Sequence, residues 1–420
     1  MSVYTHLSQD QFTEFCQAFG VNFAKAIPIT QGIKNSNWFI QTTEDALSGV
    51  ENSYSYVFTL FEERPPEDIA KMATILNKLS GKLPVAAPLA IKSSTTEANQ
   101  DGLAEYLIHF EGKAITLVPC LAGTHPTKTT PSMCSTMGQA LAVLHNSLQS
   151  LTPAEDYGVP LYPWDQVRDR EIQFMPGDEA KLMRDIWQGY DELPLDSLPQ
   201  GLCHLDMFAD NTLWDLAGGR ETLTGLLDFT EVSAEHYVMD IAITINDFCT
   251  TWGDAEDGET VNFDTAKMQA FLEGYNSERP LTEAEQHALP VMLSMAAVTF
   301  WLLRLNVIYY NREQGRTGDN IMVKNPDLMK RLAAYHWGRV EKLRGLKSTV
   351  FVLEHASRKD ADSDTYNKDM KLIGVFATES QAQAAIEQLK LQPGFKDYPD
   401  GFHIDAYPLG QINWQTGFGG

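Results

Sequence analysis

The chain has 420 residues, 43% hydrophobic and 21% charged, which excludes wholesale disorder and leaves room for about one to three domains. A formal net charge of −24 argues against nucleic acid and against anionic membrane surfaces as partners. Five cysteines without paired spacing, and a start lacking the basic-then-apolar pattern of a secretion signal, set the expectation of reduced thiols in a cytoplasmic protein.

In chain order, Ser8 caps a first helix whose apolar residues keep helical spacing. Ile29 to Ile40 reads as strand, loop, strand, with Gly32, Asn35, Ser36 and Asn37 in the loop. Backbone N–H groups of such a loop suit nucleotide phosphates, and on local grounds a plain hairpin turn fits as well. Ser55 to Glu62, which contains Thr59, is the next strand. Pro66 to Leu79 has helical spacing, with Pro65-Pro66 at its start and Gly81 just past its end. Ala104 to Phe110 and Ala114 to Val118 form a hairpin, and Val118-Pro119-Cys120-Leu121 leads out of this strand-rich part. Pro131 to Leu148 is a helix by the recurrence of Met133, Met137, Leu141 and Leu144; His145 near its end reads as a buried, hydrogen-bonded structural histidine. Trp164 to Met183 and Asp185 to Trp187 are helical and connecting segments.

The chemistry concentrates in Gly201 to Phe229. Asn211 to Leu216 and Thr222 to Phe229 form a hairpin around a turn holding Gly218-Gly219. Asn211 opens one strand and Asp228 closes the other, so antiparallel pairing brings an amide and a carboxylate into one small volume. Two hard oxygen donors there suit Mg²⁺. Asp206 lies on the loop before them, where a carboxylate can orient a hydroxyl and accept its proton. Cys203 and His204 are adjacent and therefore point apart, which argues against a nucleophile pair.

Farther on, Asp240 heads an apolar helix as a capping residue. Asn246 and Asp247 either line an acceptor pocket or sit on the surface. Thr282 and Glu285 have capping-box spacing. Leu289 to Leu303 is short for a membrane span and reads as a buried helix. Arg304, the one charge inside the apolar Val291 to Leu305 helix, either makes a structural ion pair or receives a substrate carboxylate. Residues 347–420 read as a β-β-α-β module, with Trp414 and Phe418 packing or docking it.

His204-x-Asp206 with Asn211 five residues on, followed by an apolar strand ending in Asp228, resembles the catalytic and metal-binding segments of the aminoglycoside-phosphotransferase-like kinases, small-molecule relatives of the protein kinases. Joined by Gly32-Ile-Lys-Asn-Ser-Asn, Tyr56-Val-Phe-Thr-Leu-Phe-Glu, Asn246-Asp-Phe-Cys, Arg279-Pro-Leu-Thr and Phe300-Trp-Leu-Leu-Arg, the set is similar to the homoserine kinases of that type up to about residue 340. The resemblance implies an α+β, bilobal protein-kinase-like fold. Its parts are a strand-rich nucleotide-binding lobe (1–121), a helical catalytic lobe (122–346) and an accessory module (347–420). It implies ATP and Mg²⁺ as cofactors and phosphorylation of the hydroxyl of L-homoserine, on the route to threonine. Asp206 becomes the catalytic carboxylate, with His204 supporting its loop; Asn211 and Asp228 hold the metal. Gly32, Asn35, Ser36 and Asn37 cover phosphates, and Val118 and Cys120 offer backbone groups to adenine. Thr59 stands where most related kinases carry a phosphate-holding lysine. Asn246, Asp247 and Arg304 are the substrate-binding candidates. The rivals are a kinase for choline, a methylthioribose-like sugar or an aminoglycoside, and a binding protein on an inactive scaffold. Oligomeric state, a homo-oligomer included, is left open.

Overall fold

The computed structural model of the chain describes residues 5–29, 35–47, 53–92, 105–157, 164–251, 261–313, 325–347, 349–356 and 370–409. The chain forms two compact units, Met1–Tyr335 and His336–Gly420.

The first unit begins with a sheet-rich lobe. Its elements are α1 (Gln9–Ala18), β1 (Phe23–Pro28), β2 (Ser36–Thr42), α2 (Thr43–Leu47), β3 (Tyr56–Phe61), α3 (Pro66–Leu79), β4 (Ile108–Phe110) and β5 (Lys113–Pro119). The strands pair antiparallel in the order β1-β2-β3-β5-β4. Strand alternation sends Trp38, Ile40, Phe58, Leu60, Ile115 and Leu117 to one face, where Phe12 and Phe15 of α1 complete a core. A capping box starts α1: Gln11 N–H donates to Ser8 Oγ at 3.2 Å and Ser8 N–H to Gln11 Oε1 at 2.8 Å. The opposite face of β2 and β3, carrying Asn37, Phe39, Val57 and Thr59, is half-buried.

The second lobe of this unit is mainly helical: α4 (Pro131–Leu148), α5 (Trp164–Glu171), α6 (Gly177–Asp191), α7 (Tyr237–Phe248), α8 (Thr265–Glu278), α9 (Glu283–Glu313) and the start of α10 (Pro326–Lys347). Among them run the short pairs β6 (Gln200–Cys203) with β9 (Ser233–His236), β7 (Thr212–Asp215) with β8 (Thr222–Leu226), and β10 (Thr250–Thr251) with β11 (Asn262–Phe263). Helices α4 and α8 touch through paired glycines. A Cβ on Gly138 would lie 2.0 Å from the Phe271 carbonyl oxygen, and one on Gly274 would lie 2.0 Å from that of Ser135. Helix α9 exceeds the expected stretch at both ends, spanning 31 residues. By length and composition Glu283–Ile308 passes for a membrane span, yet the larger part of its most apolar window is buried in the protein, as in a core helix.

The lobes are stitched where the chain crosses between them. Thr124 and Trp214 exchange backbone hydrogen bonds of 3.0 and 2.9 Å, and Leu226 N–H donates to the Pro84 carbonyl at 2.8 Å. Gly123, at φ 126°, permits this crossing: a side chain there would meet Thr224 Oγ1 at 2.3 Å. The second unit contains β12 (Thr349–Ala356), β13 (Met370–Phe376), α11 (Glu379–Leu389) and β14 (Phe402–Pro408), an antiparallel sheet ordered β13-β12-β14. This is the β-β-α-β order expected; Trp414 and Phe418 lie outside the described residues.

Candidate active site

Strand β6 ends at Cys203, and the next residues bend sharply. Leu205 has φ 62°, a left-handed conformation that a leucine adopts only when its surroundings enforce it. The enforcement comes from Asp240, whose Oδ1 accepts the Leu205 N–H and whose Oδ2 accepts the His204 N–H, both at 2.8 Å. Capping does not explain Asp240, contrary to the sequence reading. Helix α7 starts at Tyr237, with His236 in the N-cap position, so Asp240 lies one turn inside and fully buried.

The carboxylate is backed by a chain of buried partners. His145 Nε2 donates to Asp240 Oδ2 at 3.0 Å; its Nδ1 accepts from Tyr275 Oη at 2.7 Å; Arg279 donates to that oxygen at 3.1 Å and pairs with Glu285 at 2.9 Å. Burial works to raise the Asp240 pKa, but the hydrogen bonds from the His145 ring and the His204 N–H outweigh it and hold the carboxyl below its usual range. Burial depresses the His145 imidazole, so the pair is carboxylate and neutral ring. Cys203 also lies within 4.8 Å of His145 and Asp240. Burial drives its thiol far up, and His145 and Asp240 are already joined to each other, so this cluster is a hydrogen-bond network rather than a ligand set.

His204 is fully buried, and both ring nitrogens are committed: Nε2 donates to the Leu227 carbonyl at 3.0 Å and Nδ1 accepts the Asp206 N–H at 3.3 Å. Its ring nitrogens bond to backbone only, its ring packs edge-on against Phe229 at 4.7 Å, and it is a positioning residue joining the loop to the strand that precedes Asp228. Asp206 is half-buried. Burial first, then the Asp228 charge, push its carboxyl up to about 7, against the opposing hydrogen bond from Asn211. That Asn211 Nδ2 donates to the Asp206 carbonyl at 2.7 Å and to its Oδ2 at 3.0 Å.

The β7–β8 hairpin forms as read, with its first strand shorter by one residue at each end and its second shorter by three at its close. Asn211 closes a 3₁₀ turn, Ala209–Asn211, and its carbonyl accepts the Leu227 N–H at 2.9 Å; Asp228 follows in left-handed conformation at φ 55°. Both ends depart from strand geometry because they bend to present side chains. Asp228 Oδ1 takes the Thr230 N–H at 3.3 Å and the Thr230 hydroxyl. The Asn211 Oδ1 and Asp228 Oδ2 are left without a partner among the described residues. Two free hard oxygens beside the loop fit a divalent cation, and these are the residues that would hold one. A divalent cation bound there would supply positive charge to nucleotide phosphates.

Of the nucleotide candidates, Gly32 lies outside the described residues. Asn37 and Thr59 are opposite partners across β2 and β3, and Thr59 Oγ1 donates to Asn37 Oδ1 at 2.8 Å. Ser36 is buried and gives its hydroxyl to Glu62, which also binds Lys113; Asn35 contributes its carbonyl to the Asn37 amide at 3.4 Å. Val118 is paired with Val57 in the sheet, and the Cys120 N–H donates to the Ser55 carbonyl at 2.8 Å. The N-terminal lobe also sends a cation to the catalytic side: Arg64 lies 3.9 Å from Glu231, three residues past Asp228.

Asp206 lines a cavity of about 560 Å³, within the range of small-molecule sites. Its walls are Trp164 and Asp165 of α5, Trp187, Tyr190 and Asp191 of α6, Ser233 and Glu235 of β9, and apolar residues of α7 and α9. Asn246, Asp247 and Arg304 are placed elsewhere. The Asn246 amide donates to the Leu293 carbonyl at 2.9 Å between helices. Asp247 accepts the Ala209 N–H at 2.7 Å, bracing the turn before Asn211. Arg304 donates to the Asn325 carbonyl at 2.7 Å; burial lowers its pKa while the Asp247 charge opposes. Sequence reasoning missed Asp240's role and the β9 wall. Ser233 and Glu235 have the i, i+2 spacing of one strand face, a signal that was available.

Residues 25–281 match the phosphotransferase enzyme family, and residues 348–418 match a domain of unknown function, DUF7336. The chain is 30% identical to a homoserine kinase of Ralstonia pickettii over 321 residues, 74% of this chain and 90% of that one. It is 30% identical to a homoserine kinase of Neisseria meningitidis serogroup B over 336 residues, 79% and 98% of the two chains. In fold it is similar to spectinomycin phosphotransferase, solved in complex with ADP and spectinomycin, at a TM-score of 0.54 and 14% identity, covering 79% of this chain and 99% of that one.

Proposed function

The chain belongs to the phosphotransferase enzyme family, and on that footing we propose that it transfers the γ-phosphoryl group of ATP to the hydroxyl of L-homoserine. The observation that carries the reading is Asp206: a half-buried carboxylate at the wall of a cavity, oriented by Asn211, on a loop locked by Asp240 and His204. The acceptor hydroxyl gives its proton to Asp206 as its oxygen bonds to the γ-phosphorus; the bond to the β-phosphate oxygen breaks and ADP leaves. Asn211 and Asp228 would hold Mg²⁺, which would supply positive charge to the phosphates. ADP in the related spectinomycin phosphotransferase supports a purine nucleotide as donor. The homoserine kinases at 28–30% identity support homoserine as acceptor.

One observation favours a second reading. Among the described residues, no lysine or arginine lines the cavity to receive a carboxylate. An amino alcohol without a carboxylate satisfies the acidic and aromatic walls equally well. The deciding experiment is ADP release by the purified protein with Mg-ATP and a panel of L-homoserine, 3-amino-1-propanol, choline and an aminoglycoside. The highest kcat/KM is expected with L-homoserine. A higher value with 3-amino-1-propanol or choline establishes the second reading, and no turnover with any of them refutes both.

A further inference from the structure

Ser233 and Glu235 stand two apart on β9, so both side chains face the cavity. Ser233 is 1% exposed, and its hydroxyl has no hydrogen-bond partner among the described residues. Glu235 accepts from the His236 N–H and Nδ1 through Oε1, at 2.7 Å each, which leaves Oε2 uncommitted. A carboxylate oxygen and a hydroxyl that face one cavity without a protein donor between them are open to a donor from a bound molecule.

The other acids of the cavity are already engaged or reserved. Asp165 pairs with Arg168 at 3.3 Å and Glu231 with Arg64 at 3.9 Å, while Asp206 serves the hydroxyl. Asp191, one residue past Tyr190 on α6, has no ionic partner among the described residues. Burial, then Glu235, Asp191 and Asp165, keep the Tyr190 phenol protonated far above its ordinary range, so it adds a dipole and no charge. Trp164 and Trp187 supply aromatic faces. An ammonium group, with three donors and one positive charge, is the complement of this set, whereas an anion or a plain hydroxyl is not.

We infer that Glu235 and Ser233 of β9, with Asp191 of the α6 wall, form an ammonium subsite that selects amino alcohols over neutral alcohols and sets the acceptor's hydroxyl toward Asp206. This rests on the phosphotransferase reading of the cavity. It assigns recognition to β9 and α6 rather than to Asn246, Asp247 and Arg304.

The test is calorimetric binding to the full chain with Mg²⁺ and a non-hydrolysable ATP analogue, using pairs that differ at the amine: L-homoserine against 4-hydroxybutyrate, and 3-amino-1-propanol against 1,3-propanediol. The amine of at least one pair is expected to bind about tenfold or more tighter than its counterpart. Glu235→Gln should weaken that amine about ten- to hundredfold and Ser233→Ala about threefold, with the counterpart and the nucleotide little affected. Equal binding of amine and counterpart in both pairs overturns the subsite. So does amine affinity within about twofold of wild type in both variants, or binding of nucleotide without any amine. If Glu235→Gln does not fold, Ser233→Ala carries the test. If amines bind and the variants weaken them but no acceptor is phosphorylated, the subsite stands and the kinase reading falls.

Discussion

The catalytic loop and the half-buried face of the N-terminal sheet are held in opposite ways. In the loop, backbone bends are secured by side chains from distant elements: Asp240 grips two successive N–H groups, His204 ties Asp206 to Leu227, and Asp247 braces the turn at Ala209. In the sheet, the backbone is secured by its own ladder, and side chains such as Thr59 and Asn37 mainly satisfy each other. Where side chains define the backbone, identity is constrained by geometry. Where the ladder defines it, a threonine can occupy a lysine's usual place without disturbing the fold.

Asp206, the proposed proton acceptor, comes first. Asp206→Asn keeps the shape and an acceptor for the Asn211 amide but removes the proton acceptor. We expect kcat to fall about 10²- to 10⁴-fold with little change in melting temperature. A variant that keeps most of its activity removes Asp206 from the chemistry. Asp240→Asn comes next. Its amide nitrogen must face one of three donors, from His204, Leu205 or His145, and no rotamer satisfies all three. Stability should drop by about 3 kcal/mol, with loss of activity, as when a buried charged partner is removed. A variant with wild-type melting and rate shows that the loop holds its bend without the buried grip.

Acid sharpens the contrast more gently. Burial depresses the pKa values of His145 and His204 in the folded protein, so the unfolded chain binds protons more readily. Stability from these rings is complete above their ordinary value of about 6.5 and is lost as the pH falls below it. Glu62, which anchors the sheet, is held below the carboxylate range: burial raises it, but Lys113, Ser36 and Thr5 prevail, so its contribution persists to lower pH. Between about pH 7 and pH 5, hydrogen exchange should therefore speed up around His204 and Leu205 before it does in β2 and β3. Simultaneous loosening of both regions contradicts the assignment.

The legible parts of the site were those written in short spacings. His204, Asp206 and Asn211 fall within one loop, and the turn at Gly218-Gly219 brings Asp228 back beside them. Chain-local pattern also placed α3 and α4 at their observed limits and the capping box at Thr282 and Glu285. What stayed hidden depends on long-range packing. Asp240 looks like a helix-start acid until His145, 95 positions away, is packed against it. Asn246 and Asp247 gave no clear face because α7 is buried nearly all round, and helical period alone then fails to separate pocket from interior. The cavity draws on α5, α6, β9, α7 and α9, so no single stretch displays it.

The smallest effect is expected on the sheet. Thr59→Val keeps the branched shape that suits a strand and removes one neutral hydrogen bond, leaving Asn37 Oδ1 without its 2.8 Å donor. Because both residues are half-buried, water can replace that donor, and the cost should stay near or below about 1 kcal/mol. The KM for ATP should change less than about threefold, since the hydroxyl is engaged by Asn37 rather than directed at a phosphate. A rise in that KM of about tenfold or more, at unchanged melting temperature, puts Thr59 in contact with the nucleotide. In that case the two regions are alike, each placing a defined side chain on the reacting molecules, and Thr59 takes over part of the lysine's role rather than merely filling its position.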